Sequence, residues 1–175
     1  SKSLGNVIDP MAIADKYGVD ALRYILLRHA HPFEDTDLTL ENIHEYYTAN
    51  LVNGLGNLVA RVMTLSEQHL SPVELASEDI KIEPAFTEKV EAFKFNEAMD
   101  LVWEHVAKGD AFMTEKEPYK TIKTDPEAAK KDIEKLVHHL AKLSVHLAPV
   151  MPATSEIILT AVRTNKKPEN LFPRI

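Results

Sequence analysis

Residues 39–65 read TLENIHEYYTANLVNGLGNLVARVMTL, and this stretch decides the fold class of the chain. Its apolar side chains recur at steps of three or four residues, which is the spacing of one face of an α-helix. These positions are Leu40, Ile43, Tyr47, Leu51, Leu55, Leu58, Val62 and Leu65. Thr39 is a residue type that commonly caps a helix N-terminus. The pattern therefore predicts one long helix from Thr39 to about Leu70, with one face buried.

Proline, glycine and capping residues divide the rest of the chain into further elements. Helices are predicted over 10–18, 20–29, 85–108, 126–148 and 152–163, and Gly109 is predicted to end the helix before it. The segments 4–9 and 33–38 are predicted to be extended, 71–84 a surface connector and 164–175 an irregular tail. The predicted fold is mainly α: an antiparallel helical bundle over residues 39–175. Residues 1–38 are too few for a core of their own, so they are predicted to be a small connecting module.

The composition excludes several classes of function. The chain has no cysteine, which excludes disulfides and thiolate metal sites. Its closest histidine pairs are His29 with His31 and His138 with His139, and they lack the further ligands of a structural zinc site, so we predict no metal site. No apolar run approaches the roughly 18 residues of a membrane span, so we expect a cytoplasmic protein without a membrane partner.

The net charge of −7 has the wrong sign for a general nucleic-acid binder. If RNA is the partner, recognition has to come from a local patch that stacks on bases and hydrogen-bonds to their edges.

One face of the long helix carries a polar stripe at steps of three, four and four residues, namely Asn50, Asn53, Asn57 and Arg61. Gly54 and Gly56 lie beside this stripe. Two interpretations stay open. The amides and the guanidinium form an exposed surface that hydrogen-bonds base edges, with the glycines allowing close approach. Alternatively, the asparagines bond a neighbouring helix and the glycines admit its side chains.

Two aromatic residues outside that helix have different predicted positions. Tyr119 follows Pro118 in a polar stretch, where its ring either stacks on a ligand or packs on the end of the bundle. Trp103 lies on an apolar stripe and is predicted to belong to the core.

The first residues, Ser1-Lys2-Ser3-Leu4-Gly5-Asn6-Val7-Ile8-Asp9, resemble the end of the KMSKS loop of class I aminoacyl-tRNA synthetases. The match continues through Tyr17-Gly18-Val19-Asp20-Ala21-Leu22-Arg23-Tyr24. The resemblance implies that Lys2 contacts phosphate during the reaction of a parent enzyme. We therefore expect this chain to be the C-terminal part of a larger enzyme, cut within that loop and separated from its N-terminal catalytic domain.

The stretch Thr48-Ala49-Asn50-Leu51-Val52-Asn53-Gly54-Leu55-Gly56-Asn57-Leu58-Val59-Ala60-Arg61 is most similar to the first anticodon-domain helix of methionyl-tRNA synthetases. The resemblance implies that Asn57 and Arg61 reach the first anticodon base, a cytosine, with Asn53 on the same stripe. It also implies that Tyr119 stacks on an anticodon base where the family usually has Trp. The tail Leu171-Phe172-Pro173-Arg174-Ile175 resembles the end of the same family's core.

This resemblance implies a complete set of expectations. The parent enzyme joins methionine to tRNA(Met) using ATP with Mg, and this chain binds the anticodon of that tRNA. Alone it is expected to be inactive, monomeric and without a cofactor. Residues 1–38 then correspond to the stem-contact fold and 39–175 to the anticodon-binding domain. The alternatives are the corresponding region of a cysteinyl or valyl enzyme, or a helical protein-interaction module without an RNA role.

Overall fold

The computed structural model describes residues 8–30, 36 and 38–175, and this part of the chain contains helices and no strand. The α-helices are α1 (Pro10–Tyr17), α2 (Val19–His29), α3 (Leu40–Tyr46), α4 (Asn57–His69), α5 (Pro84–Glu91), α6 (Phe95–Lys116), α7 (Pro118–Thr121), α8 (Pro126–Leu147) and α9 (Pro152–Thr164). A π-helical segment, Tyr47–Gly56, joins α3 to α4, and a 3₁₀ turn spans Ser77–Ile80. No helix within these described ranges has the length and apolarity to cross a bilayer.

The predicted helix over residues 39–70 is confirmed in its bounds, but it is not α-helical throughout. The Thr39 hydroxyl caps it by accepting a hydrogen bond from the Asn42 N–H at 3.1 Å. The middle of the helix is π-helical, and the Asn57 N–H donates to the carbonyl of Val52, five residues earlier. Such a segment is uncommon and is frequently found at functional sites.

The helix predicted over 85–108 is wrong in two respects. It consists of α5 and α6, which meet at a break where Phe93 has a φ of 60° and an exposed fraction of 64%. Gly109 does not end a helix, because α6 continues to Lys116. A Cβ on Gly109 would lie 2.9 Å from a methyl carbon of Leu58, so the glycine allows α4 and α6 to approach closely.

The bundle is built around α8, which packs against α4, α6 and α9. The interior is apolar because each helix turns its periodic stripe inward. The largest fully buried side chains include Leu55, Leu58, Met63, Met99, Met113 and Ile133. Trp103, predicted to lie in the core, is partly buried against it and stacks on Tyr24 with 4.3 Å between ring centroids.

The short helices α1 and α2 pack on the bundle. The Asp9 carboxylate caps α1 by accepting from the Met11 N–H at 2.9 Å. In α2, Arg23 donates to the carbonyl of Val150 at 2.7 Å, and the Asp20 carboxylate accepts from the Thr154 N–H at 2.7 Å. The predicted extended segments fall largely on residues 1–7, 31–35 and 37, which lie outside the described residues.

The tail after α9, predicted to be irregular, has no regular helix from residue 165 onward but is tightly anchored. The buried Asn165 amide donates to the carbonyl of Leu70 at 2.8 Å, and the Ser66 hydroxyl donates to Asn165 at 2.6 Å. Further along, the Tyr47 hydroxyl donates to the carbonyl of Pro173 at 2.8 Å, and Phe172 is buried. Residues 165–175, called the C-terminal segment below, therefore run back along α4 and the π-helical segment.

Candidate nucleic-acid interface

The predicted polar stripe is partly present, on a solvent-facing side of the π-helical segment and α4. Asn53 and Asn57 are exposed, and the side chain of Arg61 is 37% exposed. Asn50 does not share this face, because it hydrogen-bonds the buried hydroxyl of Tyr24. Asn50 lies in the π-helical segment, whose wider turn rotates Asn50 away from the face that carries Asn57 and Arg61. The prediction that Asn50 belongs to the stripe was therefore wrong. Asn50 fits the helix-contact interpretation, whereas the other three residues face solvent.

Arg61 and Tyr119 line one cavity, which we call the aromatic cavity. Its volume is about 450 Å³, and its walls come from α4, α6, α7 and the C-terminal segment. The lining residues are Ala60, Arg61, Thr64, Leu65, Met113, Tyr119 and Lys167. The structure therefore brings together two residues that lie far apart in the sequence and were predicted to act on the same ligand.

Arg61 is held loosely in this cavity. Its Nη1 lies 3.4 Å from a carboxylate oxygen of Asp110 on α6, near the long end of the hydrogen-bond range. The pKa of the Asp110 carboxyl is raised above its ordinary value, because the effect of burial exceeds the lowering by the nearby Arg61 guanidinium. Within the described part of the chain the Arg61 side chain makes no other hydrogen bond, so most of its donors remain available to a ligand.

Tyr119 is presented by a sharp turn between α6 and α7. Glu117 adopts the left-handed conformation, with a φ of 42°, and the buried Pro118 starts α7. The Tyr119 hydroxyl donates to the Glu117 carboxylate at 3.0 Å, while the side chain keeps an exposed fraction of 41%. The Lys120 ammonium shares that carboxylate and, with Tyr119, lowers the pKa of Glu117. The hydroxyl is thus engaged within the chain, and the ring remains accessible for stacking.

A second cavity of about 320 Å³, the amide cavity, continues along the same helix. It is lined by Val52, Asn53, Gly56, Asn57, Ala60, Asn170, Leu171, Phe172, Pro173 and Arg174. Ala60 borders both cavities, so the two adjoin. We call them together the groove along α4; the C-terminal segment forms its other side, and the π-helical segment extends the α4 side. This segment adds two cations to the groove, Lys167 and Arg174. The sequence marks Lys167 only as part of the basic pair Lys166-Lys167, which could touch RNA phosphates, and gives no local signal for Arg174.

Gly56 and Gly54 differ in their surroundings. A Cβ on Gly56 would lie 3.3 Å from the ring of Phe172 and 3.0 Å from the Leu51 carbonyl, so this glycine admits the C-terminal segment. A Cβ on Gly54 would make only ordinary contacts. The packing role suggested for the glycines therefore holds at Gly56.

The remaining predicted features lie elsewhere. Lys2 and His31 are outside the described residues. The neighbouring histidines of α8 bond different partners: His138 lies 2.8 Å from a carboxylate oxygen of Asp79, and His139 lies 2.7 Å from the carbonyl of His105. Across the described ranges, no three potential metal-ligating side chains of His, Cys, Asp or Glu come together.

Two family models cover the chain. The model of the "Anticodon binding domain of methionyl tRNA ligase" matches residues 64–172, and that of "tRNA synthetases class I (M)" matches residues 1–63. Both are of the methionyl type, so the alternative assignment to a cysteinyl or valyl enzyme finds no support.

Curated relatives and solved structures agree with these models. The chain is 29% identical to the methionine–tRNA ligase of Fusobacterium nucleatum, over 98% of this chain and 29% of that protein. It is 30% identical to that of Clostridium acetobutylicum, over 91% of this chain and 27% of that protein. This chain therefore spans less than a third of the curated relatives that it matches.

Methionyl-tRNA synthetase of Mycobacterium tuberculosis has the same fold in this region. The structure bound by methionyl-adenylate superimposes with a TM-score of 0.81 at 24% identity, over 99% of this chain and 41% of that chain. A second structure of that enzyme, in complex with methionyl-adenylate, gives a TM-score of 0.76 at 25% identity, again over 99% and 41%.

Proposed function

This chain belongs to the family of methionyl-tRNA ligase anticodon-binding domains, and we propose that it reads the anticodon of tRNA(Met) in the groove along α4. The observation that carries the proposal is the meeting of Arg61 and Tyr119 in the aromatic cavity, beside the exposed Asn57. A guanidinium, an amide and an aromatic face are the groups that single-stranded RNA recognition uses.

The cytosine of the anticodon is the base assigned to Arg61 and Asn57. Cytosine presents a carbonyl oxygen and a ring nitrogen as acceptors and an amino group as donor. Arg61 supplies donors in a fixed planar arrangement, and the Asn57 amide offers both a donor and an acceptor. Asn53, which lines the adjoining amide cavity, extends this polar surface toward the next nucleotide.

Tyr119 supplies the stacking surface. Its hydroxyl bond to Glu117 fixes the edge of the ring, so less side-chain freedom is lost when a base stacks on its face. A phenol covers less of a base than the indole usual in the family. We therefore assign Tyr119 a stacking contact in the lower part of the range of about 1–3 kcal/mol per base.

The acidic net charge of −7 is compatible with this role if affinity arises within the groove. Arg61, Lys167 and Arg174 place positive charge on its walls, whereas the rest of the surface repels RNA in general. Binding would then depend on an anticodon loop that fits the groove, which favours discrimination over general RNA affinity.

The whole protein is proposed to be a methionine–tRNA ligase that consumes ATP with Mg in the cytoplasm. Lys2 is the residue of this chain assigned to phosphate during that reaction. We place the connecting module at residues 1–38 and the anticodon-binding domain at 39–175. Residues 8–175 are assigned no part in methionine activation, and we expect the chain alone to be monomeric.

The test is binding of the full-length protein to a stem-loop RNA that carries the anticodon of tRNA(Met). A matched RNA in which only the first anticodon cytosine is replaced by uracil serves as the control. We expect the cytosine RNA to bind more tightly by about 5- to 150-fold, since a good base contact is worth about 1–3 kcal/mol. Equal binding of the two RNAs, or no binding of either, contradicts the proposal.

A further inference from the structure

We propose that the C-terminal segment forms the second wall of the RNA groove, with Lys167 and Arg174 binding phosphates of the anticodon loop. The inference rests on the proposed function and adds the residues that hold the RNA backbone. Base-reading residues and backbone-holding residues are distinct classes, because phosphate contacts fix the position of the nucleic acid and carry no sequence information directly.

The position of the two cations is the first support. Lys167 lines the aromatic cavity together with Arg61 and Tyr119. Arg174 lines the amide cavity together with Asn53 and Asn57. Each base-reading cavity thus has one cation on the wall opposite α4, where the backbone of a loop whose bases face α4 would lie.

The charges of these cations are available. Lys166, the preceding residue, is paired with Glu67 at 3.0 Å, whereas Lys167 contacts the same carboxylate through its main-chain N–H at 3.1 Å. This arrangement leaves the Lys167 ammonium unpaired within the described part of the chain. Arg174 likewise has no ion pair among the described residues, and both side chains are exposed. In contrast, Lys116 and Lys120 near the groove are paired with Glu115 and Glu117.

The segment that carries them is held in place at both ends. The first anchor is the buried Asn165, which bonds Ser66 and the Leu70 carbonyl. The second is Phe172, buried against Gly56, with the neighbouring Pro173 carbonyl bound by Tyr47. Anchored cations lose less conformational freedom on binding than cations on a free tail, which makes them effective at positioning a ligand.

The phosphate assignment follows from this combination of charge and position. Lysine is a compact point charge that suits a single phosphate oxygen, and the arginine fork can bind two oxygens at once. Phosphate contacts release bound counterions, so each contributes to the salt dependence of binding, about −0.7 in the slope of log K against log salt for a single strand.

The experiment measures binding of the full-length protein to the stem-loop RNA between about 50 and 200 mM salt. Lys167→Ala and Arg174→Ala should each reduce the salt slope by about 0.7. Each variant should weaken binding of the cytosine and uracil RNAs by the same factor, because the backbone is common to both. Lys167→Arg and Arg174→Lys keep the charge and should retain the slope.

Matched controls come from cations that line neither cavity. Lys81→Ala and Arg163→Ala remove exposed side chains that have no ion pair in the described part of the chain, and they should leave the slope unchanged. The inference is overturned if Lys167→Ala and Arg174→Ala keep the wild-type slope and affinity while the wild-type protein still prefers the cytosine RNA. Failure of the wild-type protein to bind either RNA would instead overturn the proposed function, and the inference with it.

Discussion

Two arginines, each facing an aspartate of α6, have very different surroundings. Arg28 donates to the Tyr24 hydroxyl at 2.7 Å and lies within 3.1 Å of the Asp100 carboxylate. Its guanidinium carbon lies 4.8 Å from the centre of the Trp103 ring, and the side chain is only 17% exposed. The donors and the flat face of Arg28 are thus already used within the protein.

Arg61 also lies near an aspartate and an aromatic ring, but it makes fewer contacts with them than Arg28 does. Its single contact with Asp110 measures 3.4 Å, its side chain is 37% exposed, and Tyr119 faces it across a cavity. Comparison of the two arginines teaches that an arginine, an aspartate and an aromatic ring do not by themselves indicate a binding site. The unfilled donors and the open ring make Arg61 a candidate, whereas Arg28 stabilises the packing of α2 on α6.

The largest expected effect that separates the two arginines is the loss of folding stability when Arg28 is replaced. Arg28→Ala removes a charged hydrogen bond to the buried Tyr24 and the stacking on Trp103. We expect the free energy of unfolding to fall by about 1.5–3 kcal/mol, the range for hydrogen bonds to charged groups. Urea unfolding checks this, with Arg163→Ala as the exposed control expected to change by less than about 0.5 kcal/mol. If Arg28→Ala changes stability as little as the control, Arg28 is not a structural residue.

Arg61→Ala should have the converse effect. It removes a proposed base contact of about 1–3 kcal/mol, so tRNA(Met) binding and aminoacylation should fall by roughly 5- to 150-fold. Methionine activation by the full-length enzyme should hardly change, and the loss of stability should be small because the pair with Asp110 is partly exposed. Parallel losses in activation and in tRNA charging would show that Arg61 is structural, as Arg28 is.

A substitution series at Tyr119 should give a smaller effect. Tyr119→Ala should weaken tRNA binding by about 1–3 kcal/mol, toward the lower end for a phenol. Tyr119→Phe keeps the ring face and should be mild, although it removes the hydroxyl bond to Glu117. Tyr119→Trp should bind equally or more tightly because its ring is larger. A Phe variant as weak as the Ala variant would assign the contact to the hydroxyl instead of the ring.

The stability of the fold should depend on pH through His29. This ring stacks on Tyr46 with 3.7 Å between centroids, and burial lowers its pKa to about 4, with a further lowering by Arg28. Below about pH 6.5 the unfolded chain takes up a proton that folded His29 does not, so stability should fall as the pH drops from 6.5 toward 4. Urea midpoints at about pH 7 and pH 5 measure this change in stability. His29→Gln removes the titrating group, so it should reduce the difference between the two midpoints. A residual slope is expected from His105, whose pKa burial also lowers.

The sequence predicted the features that depend on local periodicity. The Thr39 cap and the extent of the long helix follow from residue type and spacing. Spacing also placed Asn57 and Arg61 on one face, but it left open whether that face is exposed or contacts a neighbouring helix. The proximity of Arg61 to Tyr119 came from the family resemblance, since no local pattern relates residues so distant in the chain. Their role in RNA binding stays a prediction.

Other features had weak or no local signals. Successive four-residue steps from Ile43 to Leu55 drift away from a period of 3.6, which was the available hint of the π-helical segment. The break at Phe93 carries neither glycine nor proline, and a positive φ is unfavourable for a bulky residue, so nothing local marks it. The placement of Lys167 and Arg174 depends on contacts made by Asn165 and Phe172 with helices far earlier in the chain.

The π-helical segment has a consequence for how this protein can change over generations. It sets the rotation between the inward face that holds Asn50 and the outward face that holds Asn57. A substitution between Tyr47 and Gly56 keeps the number of residues, whereas loss of a single codon would turn α4 relative to α3 by about 100° if the α-helical path were kept. The binding face is therefore inherited through the number of residues in this segment as well as through their identity.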